Sequence, residues 1–516
     1  MSPGRLRVAA VMTVLLAYPG AAAGDDARII VAVRQQDHQA VRQLLLERAD
    51  VNARQPDGST ALHWAVYRDD LELVVLLVGG NADVDAANDI GVTPLLMAAS
   101  AGQGAIVEKL VAAGASPNTA PASGETALMR AARAGSAAAV KALIAAGADV
   151  NARERTRGQT ALMWAAANAR PDVVQALIEA DADVRARSNA ASAVYNMGGS
   201  RSAGTGNRET TIHQIPQGGN TPLLFAARSG DVASARLLVA AGADVNDAGI
   251  DGNPALTVAM HGGHASLAAF LIDSGADVNA APLGYTALHA AVLRGTLRDR
   301  NVVNSDPMAG APIVKKLIAA GAAVDIPFTR GTPLRRWSHD FVLHERWVGA
   351  TPFWLAARFL EVDILRALGA AGADSNRRSA DGTTPLLAAA GHDYSRGGGD
   401  GAFIRDRRDF SSYNPVAAEE GGAIPRDEER RTLETVTAVL ALGGDPRAGN
   451  PGGATPLHAA ATLGLTAVVQ ALADAGADLH ARDKRGQTAL DLARRAAERV
   501  SALQPTADLL QRLTAR

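Results

Sequence analysis

The chain of 516 residues contains no cysteine. Disulfide bonds, thiolate metal sites, a cysteine nucleophile and a lipid-modified cysteine anchor are therefore excluded. Beyond the N-terminal segment, no stretch is apolar over the length needed to cross a bilayer, so we expect no membrane span in the mature protein.

Aromatic residues are also scarce, at 4% of a chain whose hydrophobic content is 47%. The core must then be built from small and aliphatic side chains, which suits closely packed helices. The formal net charge of −2 gives no electrostatic reason to expect a nucleic-acid partner or an anionic membrane surface.

Residues 1–24 have the pattern of a cleavable secretory signal peptide. Arg5 and Arg7 precede a short apolar run at 8–17, and Ala21–Ala23 offers a small-residue cleavage site. The apolar run is too short for the alternative, an uncleaved anchor. The sequence predicts a bacterial periplasmic or secreted protein that begins near residue 25.

The stretch 57–83 shows how the rest of the chain is organised. Thr60 stands at a helix start, small and apolar residues follow at helical spacing, and Gly79-Gly80 closes a second apolar run. This pattern indicates two short helices and a loop. Such a unit cannot bury both apolar faces alone and needs neighbours.

The unit recurs along the chain. Thr60, Thr93 and Thr126 are 33 residues apart, and Thr160 follows 34 residues later. The turn Gly-Ala-Asp-Val-Asn is complete at 147–151, 242–246 and 275–279. With these motifs the chain resembles the ankyrin-repeat family, and it is similar to secreted or periplasmic bacterial members with long insertions in the C-terminal repeats.

The resemblance implies an all-α ankyrin-repeat solenoid over residues 25–516, with about twelve helix-turn-helix repeats. Four long irregular insertions are expected near 188–217, 295–310, 325–347 and 392–427. The first repeat should have helices near 27–34 and 38–47, and the second helix of the tenth should cover 428–442.

No arrangement in the sequence supports catalysis, a metal site or a cofactor. His339, His344 and Glu345 lack the spacing of a zinc-binding helix, and the glycine run at 397–401 lacks the Lys-Ser/Thr of a phosphate loop. His63, His289 and His458 stand where the family's histidine bonds to backbone of an adjacent loop, so we expect structural roles.

The resemblance places a concave groove at the residues that follow the Ala pair of each first helix, together with the turn tips. We therefore predict partner-binding residues that include several arginines: Tyr67, Arg68, Arg133, Arg157, Asn168, Arg228, His261, Arg294, Arg358 and Phe359. Arginines there would suit an acidic segment of a protein partner. The alternative is that they are ordinary solvated cations. Trp64, Trp164 and Phe225 come just before the Ala pair, and we interpret them as framework residues of the repeats rather than as anchors for a partner.

The sequence thus predicts a monomeric, non-catalytic scaffold that binds a protein partner outside the cytoplasm. Two alternatives remain open at this stage. One is an enzyme or small-ligand-binding protein with a site formed by the 325–347 and 392–427 insertions. The other is an exported effector that binds a host protein.

Overall fold

The computed structural model describes residues 27–198, 210–281, 284–296, 306–329, 347–391 and 426–515, with backbone elements alone at 192–198, 210–217, 294–296 and 426–428. The chain divides into two compact units. The first comprises Met1–Ala193 and Pro216–Asp251, and the second comprises Val194–Ile215 and Gly252–Arg516.

The first unit has six helix pairs in its described residues. They are α1 (Arg28–Arg34), α2 (His38–Leu46), α3 (Ala61–Tyr67), α4 (Leu71–Gly79), α5 (Pro94–Ala101), α6 (Gly104–Ala112), α7 (Ala127–Ala134), α8 (Ala137–Ala145), α9 (Ala161–Ala167), α10 (Pro171–Ile178), α11 (Pro222–Ser229) and α12 (Val232–Ala240). First helices stack on first helices and second helices on second helices, so each repeat buries its apolar faces against its neighbours.

The second unit continues with six more pairs. They are α13 (Ala255–Gly262), α14 (Ala265–Asp273), α15 (Ala287–Thr296), α16 (Ala311–Ala319), α17 (Pro352–Arg358), α18 (Val362–Ala370), α19 (Pro385–Ala389), α20 (Arg426–Ala441), α21 (Pro456–Leu463), α22 (Thr466–Asp474), α23 (Ala489–Arg499) and α24 (Gln504–Thr514), with a 3₁₀ turn at Ser501–Leu503 before α24. The all-α repeat fold and the helix positions predicted for the first and tenth repeats are confirmed.

The threonine of each repeat begins the first helix as its N-cap. The hydroxyls of Thr93, Thr126 and Thr160 accept the backbone N–H three residues on, at 3.3, 3.3 and 3.4 Å. An N-cap oxygen satisfies a backbone donor that has no partner within the helix. This local requirement explains why threonine recurs with the repeat.

An asparagine in the turn that follows the second helix joins several of the repeats to the next. Asn118 donates through Nδ2 to the carbonyl oxygen of Gly147, at 3.0 Å, and its Oδ1 accepts the N–H of Asp149, at 2.8 Å. Asn52, Asn151, Asn279 and Asn376 make the corresponding pair of bonds in their own repeats. The motif therefore serves as an inter-repeat hydrogen-bonded link.

The insertion near 188–217 differs from the irregular loop that was expected. Ala191–Gly198 (β1) and Thr210–Gln217 (β2) pair in a two-stranded sheet. Both segments contain β-branched residues and β2 is rich in them, which favours strands, whereas the Gly- and Ser-rich stretch between them suggested a loop. At the base of the insertion Ser188 donates to the carbonyl of Asn220, at 3.0 Å, and accepts from Gly219 N–H, at 3.1 Å.

Both described ends of the 325–347 insertion pack on helices of the second unit. Phe328 is fully buried and lies edge-on to the ring of His289, while Trp347 lies edge-on to Phe359. Within the 295–310 insertion, Asp306 accepts the N–H of Ser266 in α14 at 2.7 Å. Residues 297–305, 330–346 and 392–425, with most of the predicted insertion sequence, lie outside the described residues.

Candidate interaction surface

The predicted partner-binding residues of the first unit lie at the C-terminal ends of the first helices. We call this surface the inner-helix face, formed by the ends of α1, α3, α5, α7, α9 and α11. Arg68, Arg133, Asn168 and Arg228 are exposed there, and Tyr67 is half-buried. Arg157 is exposed on the turn before α9. All six are on an accessible surface, as a binding role requires.

Aromatic side chains support the arginines of this face. The guanidinium carbon of Arg34 lies 4.7 Å from the ring centre of Trp64, and that of Arg133 lies 4.8 Å from the ring centre of Trp164. In both pairs the arginine of one repeat covers the aromatic residue of the next. These contacts have cation–π geometry, and they hold the cations in place at the surface.

A third pair follows within one repeat, where the Arg228 guanidinium carbon lies 5.9 Å from the ring centre of Phe225. We name the pairs Arg34/Trp64, Arg133/Trp164 and Arg228/Phe225 the Arg–aromatic pairs. The rings themselves are buried, with Trp64, Trp164 and Phe225 1%, 9% and 7% exposed. Their predicted framework role is confirmed, and the arginines form the accessible part.

Not every cation of the face is available to a partner. Arg130 of α7 is largely buried, donates to the hydroxyl of Ser100 at 3.2 Å, and pairs with Glu125 at 3.3 Å. Burial lowers the pKa of its guanidinium, which Glu125 partly offsets. Arg130 is therefore engaged in an internal network.

Several arginines of the first unit have no carboxylate within 4.0 Å among the residues that the structure describes. Arg133, Arg155, Arg157 and Arg170 lie in the fourth and fifth repeats, and Arg68 follows α3. In the same unit, arginine ion pairs are made by Arg28 with Glu47, by Arg42 with Glu72 and by Arg187 with Asp247. Part of the inner-helix face thus carries cations that no described carboxylate pairs with.

In the second unit the predicted binding residues that the structure describes are less accessible than those of the first unit. His261 is half-buried and stacks on Tyr285, with ring centres 5.2 Å apart. Arg358 and Phe359 are 2% and 6% exposed, so their prediction as groove-lining residues is wrong. Trp347, at the end of an insertion, covers Phe359. The side chain of Arg294 lies outside the described side chains.

Two of the three motif histidines, His63 and His458, have the structural role expected of them. His63 is fully buried, accepts the Thr60 N–H at Nδ1 (3.1 Å) and donates from Nε2 to the Val92 carbonyl of the next repeat (3.0 Å). His458 repeats the arrangement with Thr455 and Gln487. This pattern needs the neutral imidazole, and burial lowers the pKa of His63 accordingly.

Sequence reasoning missed three residues of this surface. Arg34 stands in the first repeat, which lacks the threonine motif, and it aligns with Tyr67 and Arg133 only when that repeat is counted from its Ala-Val pair. Arg155 and Arg170 flank the Arg133/Trp164 pair from a turn and a helix start. Their alignment within the repeat was the signal that would have revealed them.

The described residues contain no group of three or more His, Cys, Asp or Glu arranged to hold a metal ion. The same part of the chain has no helix with both the length and the apolarity of a membrane span. His339, His344 and Glu345 fall outside it, as does the 397–401 glycine run.

Comparison with known proteins agrees with the geometry. A family model for ankyrin repeats (3 copies) matches residues 29–121, 106–188 and 223–304, and one for ankyrin repeats (many copies) matches residues 439–493. The chain is also similar to the potassium channel KOR1 of Oryza sativa subsp. japonica, with 43% identity over 70 residues, which are 14% of this chain and 8% of the channel. That match has the length of two repeats and leaves most of the channel uncovered. With family models matching more than half of its length, the chain belongs to the ankyrin-repeat family, whose repeats generally mediate protein–protein interaction.

Proposed function

We propose that the protein is an extracytoplasmic, non-catalytic scaffold that binds a protein partner along the inner-helix face of its first unit. The observation that carries the proposal is the set of Arg–aromatic pairs. They place the half-buried Arg34 and the exposed Arg133 and Arg228 on buried rings, at a surface where further arginines have no carboxylate partner among the described residues.

The chemistry of this surface favours an acidic segment. Guanidinium groups make paired, charge-assisted hydrogen bonds with carboxylates. An arginine whose guanidinium is already packed on an aromatic ring loses less side-chain conformational entropy on binding than an arginine that moves freely in solvent. A stack of repeats also presents a long surface rather than an enclosed pocket, which suits a macromolecular partner better than a small substrate.

The extracytoplasmic location is supported by the sequence of residues 1–24, with its basic start, short apolar run and alanine-rich end. Fractionation of the producing cell tests it. We expect the protein in the periplasmic or extracellular fraction with its N-terminus near residue 25. Recovery of the full chain from the cytoplasm would refute this part of the proposal.

Affinity capture from native periplasmic extract tests the binding surface. The bait variant replaces Arg68, Arg133 and Arg228 with Ala, and a matched control replaces Arg42, Lys141 and Arg236, three exposed cations of second helices. We expect a partner that is retained by wild type and control and lost by the inner-helix variant. Retention should also fall steeply with added salt.

Equal retention by both variants, or binding that salt does not weaken, would place the interaction elsewhere on the protein. Because both variants remove three positive charges, a difference between them reports position rather than net charge. Far-ultraviolet circular dichroism of each variant confirms that the repeats remain folded.

A further inference from the structure

Two tryptophans occupy the same position in different repeats and differ in one hydrogen bond. Trp64 and Trp164 each stand four residues after the threonine N-cap, and each is covered by an arginine from the preceding repeat. Trp64 Nε1–H donates to Gln55 Oε1 at 2.8 Å. Trp164 Nε1 is buried and has no hydrogen-bond partner.

The turn before α9 explains the difference. The backbone N–H of Gln55 bonds to Ser59 O, just before Thr60, and that of Glu154 bonds to Gln159 O, just before Thr160. Glu154 therefore takes the place of Gln55, in a turn that is one residue longer.

The longer turn uses the Glu154 carboxylate for itself. That carboxylate, on a side chain only 6% exposed, accepts the backbone N–H groups of Thr156, Arg157 and Gln159 at 2.7, 2.7 and 3.1 Å. Neither of its oxygens accepts the indole N–H. The Trp164 N–H thus lacks the acceptor that its counterpart has, at the cost of an unsatisfied buried donor.

The surroundings of Trp164 are rich in cations. The Arg133 guanidinium covers the ring, and Arg170 lies against Gly135, two residues after Arg133, since a Cβ added to Gly135 would lie 2.6 Å from the Cδ of Arg170. Arg155 and Arg157 are exposed on the same turn as Glu154. None of these four arginines has a carboxylate within 4.0 Å in the described part of the chain.

An unsatisfied buried donor beside unpaired cations calls for an anionic acceptor. We propose that Trp164 and Arg133 form a subsite for one Asp or Glu side chain of the bound protein segment. The carboxylate accepts the Trp164 Nε1–H and pairs with the Arg133 guanidinium, while Arg155, Arg157 and Arg170 add longer-range attraction. This subsite rests on the proposed function and fixes where along the inner-helix face an acidic residue must lie.

The arrangement favours a peptide over a nucleic acid. A strand of nucleic acid gains affinity when bases stack on exposed aromatic faces, but the Trp164 ring is 9% exposed and its face is covered by Arg133. The whole chain also lacks the basic excess of a nucleic-acid-binding protein, with a net charge of −2. One carboxylate matches a single N–H donor and one guanidinium better than a phosphate chain does.

Nuclear magnetic resonance of the purified protein, with ¹⁵N-labelled tryptophan, tests the subsite directly. The probe is a synthetic peptide of alternating Glu and Gly residues, blocked at both ends, and the matched control peptide has Gln in place of Glu. We expect the Trp164 indole N–H resonance to move downfield and saturate with the Glu peptide alone. The Trp64 resonance should stay in place, because its N–H already has Gln55.

Variants separate the contribution of the Arg133 guanidinium to peptide binding from that of the Trp164 N–H. Arg133→Ala should weaken the Glu peptide about tenfold, the loss of one charge-assisted pair. Trp164→Phe keeps a ring under Arg133 and removes only the N–H; it should weaken the peptide by a smaller factor and identifies the Trp164 resonance by its absence. Arg42→Ala, at an exposed cation of α2 that lies outside the inner-helix face and pairs with Glu72, is the matched control and should leave affinity unchanged.

Three results would overturn the subsite. The first is a Trp164 resonance that stays fixed while the Glu peptide binds, the second is an Arg42→Ala variant that weakens binding as much as Arg133→Ala, and the third is a resonance that inorganic phosphate and single-stranded DNA move as the Glu peptide does. In the first two cases a partner captured through the inner-helix arginines would still support the scaffold. Loss of both capture and peptide binding would refute the scaffold as well.

Discussion

One departure from the repeat pattern allows the inter-repeat link to be measured. In the third repeat the linking asparagine is replaced by Asp85, whose Oδ1 accepts the N–H of Ser116 at 2.9 Å. A carboxylate has no donor, so the bond that Asn118 makes to Gly147 O has no counterpart here. Gly114 stands where Gly147 stands in the next repeat, and both have positive φ, 92° and 86°.

Asp85→Asn should therefore stabilise the protein. The new amide would keep the Ser116 bond and add a bond to the Gly114 carbonyl, and one net hydrogen bond contributes about 1 kcal/mol. The reverse change, Asn118→Asp, should remove the bond to Gly147 and lower the free energy of unfolding by a similar amount. Each change turns one side chain into the form found in the neighbouring repeat.

Urea unfolding followed by circular dichroism gives the total change, and amide hydrogen exchange at Ser116 and Asp149 gives the local one. Local measurement matters because repeat proteins can open one part at a time. We expect slower exchange at Ser116 in Asp85→Asn and faster exchange at Asp149 in Asn118→Asp. Unchanged exchange and midpoints in both variants would show that the amide donor contributes nothing to the link.

Three further predictions follow from single groups. The hydrogen bond to Asp70 raises the pKa of His38. The stability that protonated His38 contributes should therefore be present below pH 6.5, the pKa of the unfolded state, and be lost as pH rises through the raised pKa. His38→Gln should remove this pH dependence from a series of urea midpoints. Burial lowers the pKa of His289 to about 4, so the second unit should lose stability as pH falls from 6.5 towards 4, and His289→Leu should flatten that loss. Ala169 has φ 51° at a helix-to-helix turn, so Ala169→Gly should raise the free energy of unfolding by about 0.5–1 kcal/mol. Gly102 has φ 74° and its nearest neighbours at 3.5 Å, so Gly102→Ala should lower the free energy of unfolding by about 1 kcal/mol. A free energy of unfolding that rises in both variants, or falls in both, would contradict the backbone argument.

The helices were predictable because each repeat contains its own local signals for where a helix begins and ends. The threonine caps, the Ala pairs and the glycine turns act within one or two turns of chain, and they recur often enough to correct one another. The link made by Asn118 was visible only as a motif, since its partners lie about one repeat later. The strands β1 and β2 were missed because the polar stretch between them was taken as typical of the whole insertion.

The candidate surface was predictable in its position and not in its details. Arg68 and Arg133 are exposed as their place in the repeat requires. Arg358 and Phe359 occupy the same places, yet Phe359 is covered by Trp347 from an insertion, and a repeat pattern carries no information about such cover. The missing acceptor at Trp164 depends on one extra residue in a turn, which only the folded geometry reveals.

The closed base of the β1–β2 insertion has a consequence for the history and engineering of this chain. Ser188 and Asn220 are held as neighbours, Gly218 accepts the Ile250 N–H from the following turn at 3.1 Å, and α9 packs directly on α11. The ends of the segment are held by the repeats as well as by the β1–β2 pairing, and loop-closure entropy grows slowly with loop length, so a longer or shorter segment adds little to it. We therefore expect that a different segment, such as a reporter domain, can be inserted at this position while α9 and α11 stay packed on each other.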